Sequence, residues 1–316
     1  MQILITGAAG YIGAPTTARL IAAGHTVRAL DTLRFGGAAL LGAYPTGQFE
    51  LLRGDIRDAD TVGQALDGVD AVVHLAAIVG DPACAAEPDL ARQVNLEATV
   101  ALHAAARRAG VGRFIFASTC SVYGHGDSLL DESSPLVPLS LYAQTKAEAE
   151  TRILTPGGEM ATTALRFATL YGLAPRMRFD LVVNLWVRQA LTRGVLALHA
   201  PQAWRPLIHV SDIAAAVTAV LDAPTERVTG QVFNVASARD NHQLSAVAAM
   251  VAEVCGDVRI NVAPLAGDAR NYRVSAAKLT AATGWTPART LRQGIAEMAG
   301  ALSAGVIEVE GMRRAA

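Results

Sequence analysis

Thr6-Gly7-Ala8-Ala9-Gly10-Tyr11-Ile12-Gly13 follows the apolar run Ile3-Leu4-Ile5 and opens a stretch of helical character. Glycines at 7, 10 and 13 let the backbone turn tightly and approach a pyrophosphate. The helix N-terminus behind them offers N–H groups and a positive dipole end. A glycine triplet alone is a weak signal. A strand before it, a helix after it and an acid closing the next strand make it a dinucleotide cradle. That acid is Asp31, whose carboxylate can accept hydrogen bonds from the adenosine ribose hydroxyls and would repel a 2′-phosphate, so NAD is expected over NADP. Arg34 pulls the other way, but reads first as a solvated loop charge.

Outward from this turn, short apolar runs alternate with Ala-rich helical segments. Strands are expected at Gln2–Thr6 and at residues 26–30, 50–52, 71–75, 113–118 and 162–167, each apolar on both faces, as a helix-covered parallel sheet requires. Helices are expected over 12–23, 60–65, 88–110 and 142–154. The second half reads as a loop at 172–178, a helix near 181–192, a Trp-Arg-Pro loop at 204–206, a helix over 211–221 capped by Ser211, and a strand at Gln231–Val235 that rejoins the sheet. The fold class is α/β: a Rossmann-type, doubly wound parallel sheet with a smaller interleaved α/β substrate lobe. Residues 1–168 and 207–236 are assigned to the NAD-binding domain, and 169–206 and 237–316 to the substrate-binding lobe.

Composition narrows the function. Of 316 residues, 52% are hydrophobic and 17% charged, which suits a large buried core and argues against disorder. A net charge of −1 without a basic stripe argues against a nucleic-acid partner. Cys84, Cys120 and Cys255 are odd in number and far apart, fitting neither a disulfide framework nor a zinc site, so no metal is expected. The N-terminus has no basic n-region or cleavage site, and no run of about 18 apolar residues occurs. A soluble, cytoplasmic protein without a membrane partner is expected.

The G-x-x-G-x-x-G spacing, together with Tyr142-Ala143-Gln144-Thr145-Lys146, resembles the extended short-chain dehydrogenase/reductase family, and within it the NAD-dependent nucleotide-sugar epimerases and dehydratases of the UDP-glucose 4-epimerase kind. The likeness continues through Gly54-Asp55-Ile56-Arg57-Asp58, His74-Leu75-Ala76-Ala77, Asn95, Ser118-Thr119-Cys120-Ser121-Val122-Tyr123-Gly124, Leu165-Arg166-Phe167, the stretch from Trp204 to Asp212, and Tyr272-Arg273-Val274. It implies that Gly7, Gly10, Tyr11, Ile12, Gly13, Asp31, Asp55, Ile56, Leu75, Ala76, Ala77, Asn95, Tyr142, Lys146 and Phe167 hold NAD, with Asp55 and Ile56 at the adenine. It also implies a homodimer formed by the 88–110 and Tyr142 helices.

The residues give the chemistry a physical basis. Tyr142 and Lys146 are four apart and share a helix face. Taken alone they read as a solvated pair. A tyrosine of pKa about 10 is a poor base at neutral pH, but a neighbouring ammonium and a positive nicotinamide ring both favour phenolate. By the resemblance, Lys146 also holds the nicotinamide ribose and Thr119 hydrogen-bonds the reacting oxygen. The catalytic set is therefore Thr119, Tyr142 and Lys146.

Thr119-Cys120-Ser121 discriminates among family members. By the resemblance, 4,6-dehydratases carry Thr-Asp-Glu here, decarboxylases carry Glu in place of Ser121, and 3,5-epimerases carry a cysteine one residue later than Cys120. A 4-epimerase, which oxidises C4 to a transient ketone and returns the hydride, matches best. Its substrate is a nucleotide-diphosphate sugar touching Thr119, Cys120, Ser121, Thr169, Asn184, Arg205 and Arg270, the arginines toward the diphosphate. Arg205 and Arg270 read equally as surface charges, and Cys120 as a small apolar filler facing the catalytic region. Thr169 stands where some 4-epimerases have Asn. A reductase or dehydrogenase of a keto sugar or other alcohol, and a non-catalytic NAD-sensing protein, remain as alternatives.

Overall fold

The computed structural model describes residues 1–154, 159–263 and 270–307. Its strands are β1 (Gln2–Thr6), β2 (Thr26–Asp31), β3 (Phe49–Arg53), β4 (Ala71–His74), β5 (Arg113–Thr119), β6 (His125–Leu130), β7 (Ala161–Phe167), β8 (Thr169–Tyr171), β9 (Val195–Leu198), β10 (Trp204–His209), β11 (Gln231–Val235), β12 (Asn241–Gln243), β13 (Arg259–Val262) and β14 (Asn271–Val274). Its helices are α1 (Gly13–Ala22), α2 (Ala59–Leu66), α3 (Asp81–Ala86), α4 (Pro88–Arg92), α5 (Ala98–Arg108), α6 (Leu141–Ile153), α7 (Val182–Arg193), α8 (Val210–Asp222), α9 (Thr225–Val228), α10 (Leu244–Cys255), α11 (Ala277–Thr283) and α12 (Leu291–Ser303).

A seven-stranded sheet runs in the order β11-β7-β5-β4-β1-β2-β3, with every neighbouring pair parallel. The order reverses between β1 and β4, and in doubly wound sheets the ligand crevice opens at the carboxyl ends of such strands. β4 and β7 are buried along their whole length, and the polar residues within them, such as His74 and Arg166, are hydrogen-bonded inside the protein. On one face Ile3 and Ile5 pack with Leu20 of α1 and Ile213 and Val217 of α8. On the other, Leu4, Val72, Phe114 and Phe116 pack with Val62 of α2, Leu102 of α5, and Ala149 and Ile153 of α6. The strand at Gln231–Val235 does rejoin the sheet, beside β7.

A third cluster gathers Trp186 and Val187 of α7, Val247 and Val251 of α10, and Ile295 and Met298 of α12. Residues 272–285 depart from the sequence-based division: Tyr272, Val274, Ala276, Leu279 and Trp285 pack into the core of the large sheet, with α11 against β11. Residues 264–269 and 308–316 of the assigned lobe lie outside the described residues.

Two local readings are corrected and a third is refined. Residues 204–206 are not a loop but the start of β10, paired antiparallel with β12 and, from Leu207 on, parallel with β8. Pro206 stands where the strand changes partner, which is where a missing N–H disturbs a ladder least. The expected helix 88–110 is present over 88–108, but with a π-helical turn inside it, Gln93–Glu97, where Asn95 is buried. The cap of α8 is His209, whose Nδ1 accepts from the Ser211 N–H at 3.2 Å, and the helix begins before Ser211.

Candidate active site

The glycine turn meets the loop after β4 backbone to backbone. A Cβ on Gly7 (φ 73°) would lie 2.8 Å from the Ala76 nitrogen, and one on Gly13 would lie 2.2 Å from the Gly7 carbonyl oxygen. Neither space admits a side chain. Ile12 gives α1 no side-chain cap; Ala14 N donates to the Gly10 carbonyl at 3.1 Å, and Pro15 has no N–H to satisfy. Asp31 closes β2 with Oδ2 accepting from Ala9 N at 2.9 Å and Oδ1 from Leu33 N at 2.8 Å. Each oxygen keeps a lone pair for a second donor. Arg34 pairs with Glu87 at 3.0 Å, and Arg176 lies 3.9 Å over the Phe35 ring.

The loop after β4 is positioned by a polar chain. Thr6 Oγ1 lies 2.7 Å from His74 Nδ1, His74 Nε2 lies 2.9 Å from Thr99 Oγ1, and Thr99 donates to the Asn95 carbonyl. Burial, with the Lys146 charge, pushes His74 down to about 3, so the imidazole is neutral. Asn95 accepts from Ile78 N at 2.8 Å and donates to its carbonyl at 2.9 Å, so it holds the segment running on from Leu75, Ala76 and Ala77. Asp55 is gripped by Arg57, Oδ2 to Nη2 at 2.7 Å, while Ile56 is buried in the core.

Ser140 caps α6 by accepting from Ala143 N, which sets Tyr142 in the first helical turn. Thr119, the last residue of β5, favours the phenolate of Tyr142, and Phe167 pairs with Thr119 across the strand ends. Burial pushes Tyr142 up to about 12, against the pull of the Arg178 guanidinium and the Thr119 hydroxyl. The protein alone therefore raises this pKa rather than lowering it, because removal from water outweighs the nearby cation. Lys146 is buried, donates to the Ala117 carbonyl at 2.8 Å, and sits 4.6 Å from the Phe116 ring centre. Burial brings it down to about 8.

The expected substrate contacts divide. Ser121 accepts from Arg270 Nη1 at 3.1 Å, and Arg270 Nη2 lies 3.6 Å from Asp81. Arg205 is no surface charge: it is 5% exposed and donates to the Arg270 carbonyl. Cys120 does not face the catalytic region. It is fully buried, donates to the Arg166 carbonyl at 3.2 Å, and burial raises its thiol pKa, so it packs as a small apolar filler. Asn184 is also committed, accepting from Gly172 N and donating to Tyr11 and to the Arg178 carbonyl. Tyr11 donates to the Gly172 carbonyl at 2.6 Å, so its hydroxyl ties the glycine turn to the second lobe. Thr169 begins β8 opposite Leu207 and is partly exposed.

Residues 3–236 match the NAD dependent epimerase/dehydratase family. The chain belongs to that family. It is 30% identical over 312 residues to YtcB of Bacillus subtilis, described as an uncharacterized UDP-glucose epimerase, a match covering 93% of this chain and 96% of that one. Over 188 residues it is 37% identical to the 3 beta-hydroxysteroid dehydrogenase/Delta 5-->4-isomerase of Mycobacterium tuberculosis, covering 56% of this chain and 49% of that protein. The chain thus spans about half the length of the steroid enzymes it matches. Among solved structures, Thermus thermophilus UDP-glucose 4-epimerase in complex with NAD superposes with a TM-score of 0.82 at 28% identity, covering 95% of this chain and 98% of that one.

As a member of this NAD-dependent family, the protein takes NAD as its cofactor. The tight backbone approach at Gly7 and Gly13 and the anchored Asp31 fit it. No helix among the described residues is long and apolar enough to cross a membrane. Two residues went unnoticed in the sequence: Asp81, at the start of α3, and Arg178, beside Tyr142. Gly80-Asp81-Pro82 carries a helix-start signal in its proline, but the short α3 it opens has no periodicity of its own.

Proposed function

We propose that the protein interconverts nucleotide sugars epimeric at C4 by way of a bound 4-keto sugar. The observation that supports this most is that Thr119, which ends β5 on the side of the cleft where Tyr142 lies, is followed by two residues without a carboxylate. Eliminating water needs an acid and a base beyond the tyrosine; moving a hydride out and back does not.

Tyr142 takes the proton of the C4 hydroxyl and returns it to the same oxygen when the ketone is reduced, and Thr119 holds that oxygen beside it. Held by the Gly7–Gly13 turn and Asp31, NAD would supply the hydride acceptor for C4 and the donor to the other face of the ketone. Lys146 presents a cation from within the protein toward the cofactor ribose. Arg270 faces the diphosphate, and Arg205 positions it from behind through the Arg270 carbonyl. Ser121 steadies the guanidinium from the other side. Thr169 borders the sugar.

The names of the Bacillus and Thermus relatives favour this reading. The likeness to a steroid dehydrogenase favours a second, net oxidation or reduction of an alcohol. Incubation with UDP- and dTDP-hexoses labelled with deuterium at C4 separates the two. A 4-epimerase returns the label to C4 of the epimer with no net NADH, whereas NADH accumulating with turnover would establish the dehydrogenase. Loss of water from the sugar would contradict both.

We propose in addition a homodimer built on α5 and α6. Ala101 is exposed on α5, and small side chains let helices approach closely. Light scattering should give twice the chain mass; the mass of a single chain would contradict it.

A further inference from the structure

The segment between β8 and α7, residues 172–181, touches the large-sheet domain at three places. The Gly172 carbonyl accepts from the Tyr11 hydroxyl at 2.6 Å, in the glycine turn after β1. Arg176 lies 3.9 Å over the ring of Phe35, in the turn after β2. Arg178 Nη2 stands 3.9 Å from where a Cβ on Gly80 would lie, in the segment after β4. β1 lies between β4 and β2 in the sheet, so residues 172–181 cross the carboxyl ends of three adjacent strands. In a doubly wound sheet a dinucleotide lies in that crevice.

The course of this segment does not depend on Arg176. Asn184 accepts from Gly172 N and donates to the Arg178 carbonyl, Ala174 N donates to Met177 Sδ at 3.4 Å, and Arg178 Nε donates to Asp180 at 3.2 Å. The Phe35 turn is fixed as firmly. Asp31 accepts from Leu33 N, Leu33 stands at φ 57°, and Gly36 N donates back to the Leu33 carbonyl at 2.9 Å. Phe35 is 67% exposed and Arg176 only half-buried, so the guanidinium meets the ring at the surface of the crevice, within reach of a ligand. The diphosphate of a dinucleotide carries two negative charges, yet Thr6 to Gly13 hold no charged side chain, so that turn can offer only backbone N–H groups. The cations nearby are engaged: Arg34 with Glu87, Arg57 with Asp55, Arg178 with Asp180, and Lys146 with the Ala117 carbonyl. Arg176 has no ion-pair partner among the described residues. Burial and the Arg178 charge lower its pKa, as befits a cation lacking an anion.

We propose that Arg176 is a cofactor-contacting residue supplied by the second lobe: its guanidinium donates to the diphosphate of NAD from across the glycine turn. The second lobe then completes the cofactor site as well as the substrate site. The inference rests on the NAD site alone and holds whichever reaction follows.

Calorimetric titration of the protein freed of NAD tests it, with NAD, NADP and UDP as ligands. Arg176→Ala should weaken NAD by about tenfold, the scale of a hydrogen bond between charged groups. NADP should lose the same factor, because it carries the same diphosphate, and Arg176→Lys should recover part of the loss. Wild-type affinity for NAD should fall more steeply with ionic strength than that of Arg176→Ala, a difference that a structural role would not produce. UDP, the handle of the proposed substrate, should change by less than about twofold. Phe35→Ala removes the ring and leaves the cation, so it should cost less than Arg176→Ala. Urea unfolding matching wild type establishes that the variants are folded. Unchanged NAD affinity would overturn the assignment, as would a loss confined to NADP, which would put the cation at the 2′ position. An equal loss for UDP, or a Phe35→Ala variant as weak as Arg176→Ala, would make Arg176 only a clasp between the lobes and overturn it too. A wild type that takes no UDP counts against the nucleotide-sugar reading alone, and the NAD titrations still decide this one.

Discussion

Glu150 and Arg166 face each other inside the protein, Oε2 to Nη2 at 2.7 Å, with Nε adding contacts of 3.1 and 3.2 Å. Both side chains are about 95% buried, at 4% and 5% exposure. Ser118 of β5 donates to the same carboxylate. Arg166 belongs to β7 and passes the connection to Tyr123, which donates to Asn234 of β11. Glu150 is one turn beyond Lys146 and two beyond Tyr142 on α6. The helix face that carries the candidate chemistry is therefore fastened to three strands of the sheet.

Glu150→Gln should destabilise the protein by about 3–5 kcal/mol, because the Arg166 charge stays buried without its counterion. Urea unfolding of the two proteins measures the difference. A change below about 1 kcal/mol would mean that the guanidinium finds water or another acceptor.

Tyr142→Phe should lower kcat by about a hundredfold or more, the scale of losing a general base. Fold and NAD affinity should survive, since a single oxygen is removed. Thr119→Ala should cost less, and Lys146→Ala should weaken both turnover and cofactor binding. Steady-state kinetics with cofactor titrations check all three, and a fully active Tyr142→Phe enzyme would end the mechanism.

Activity should depend on pH in both directions. Tyr142, pushed up to about 12, acts as phenolate, and the phenolate fraction grows as pH rises toward its pKa, so kcat/KM should climb through neutrality. Lys146, brought down to about 8, loses its cation above that pH, so the climb should level or reverse there. Lys146→Arg keeps the charge and should move the upper limb to higher pH. A profile flat from about pH 6 to 9 would contradict both assignments.

NAD should bind at least about tenfold more tightly than NADP, a difference of about 1.4 kcal/mol, because a 2′-phosphate would face the Asp31 carboxylate. Arg34 does not offset this, being paired with Glu87. Titration of both cofactors into stripped protein decides it; equal affinities would contradict the role of Asp31, and Asp31→Ser should narrow the gap.

The sequence by itself determined the sheet-forming half of the chain. Strand, glycine turn, helix and acid are encoded within the first 31 residues, where local periodicity and glycine chemistry suffice. The shared face of Tyr142 and Lys146 is likewise local, since four residues make about one helical turn. Tertiary structure alone decided which way Cys120 and Ser121 point, because a 3-10 turn (Cys120–Tyr123) with no readable period follows β5. It also turned Asn184 and Tyr11, 173 residues apart, into each other's partners, and joined Arg270 to Ser121 across 149 residues. Contacts of that span come from how the second lobe seats on the sheet, and no repeat along the chain records it. Asp81 belongs to this class. Its helix is too short to carry a pattern, and only the tertiary fold brings its carboxylate to Arg270.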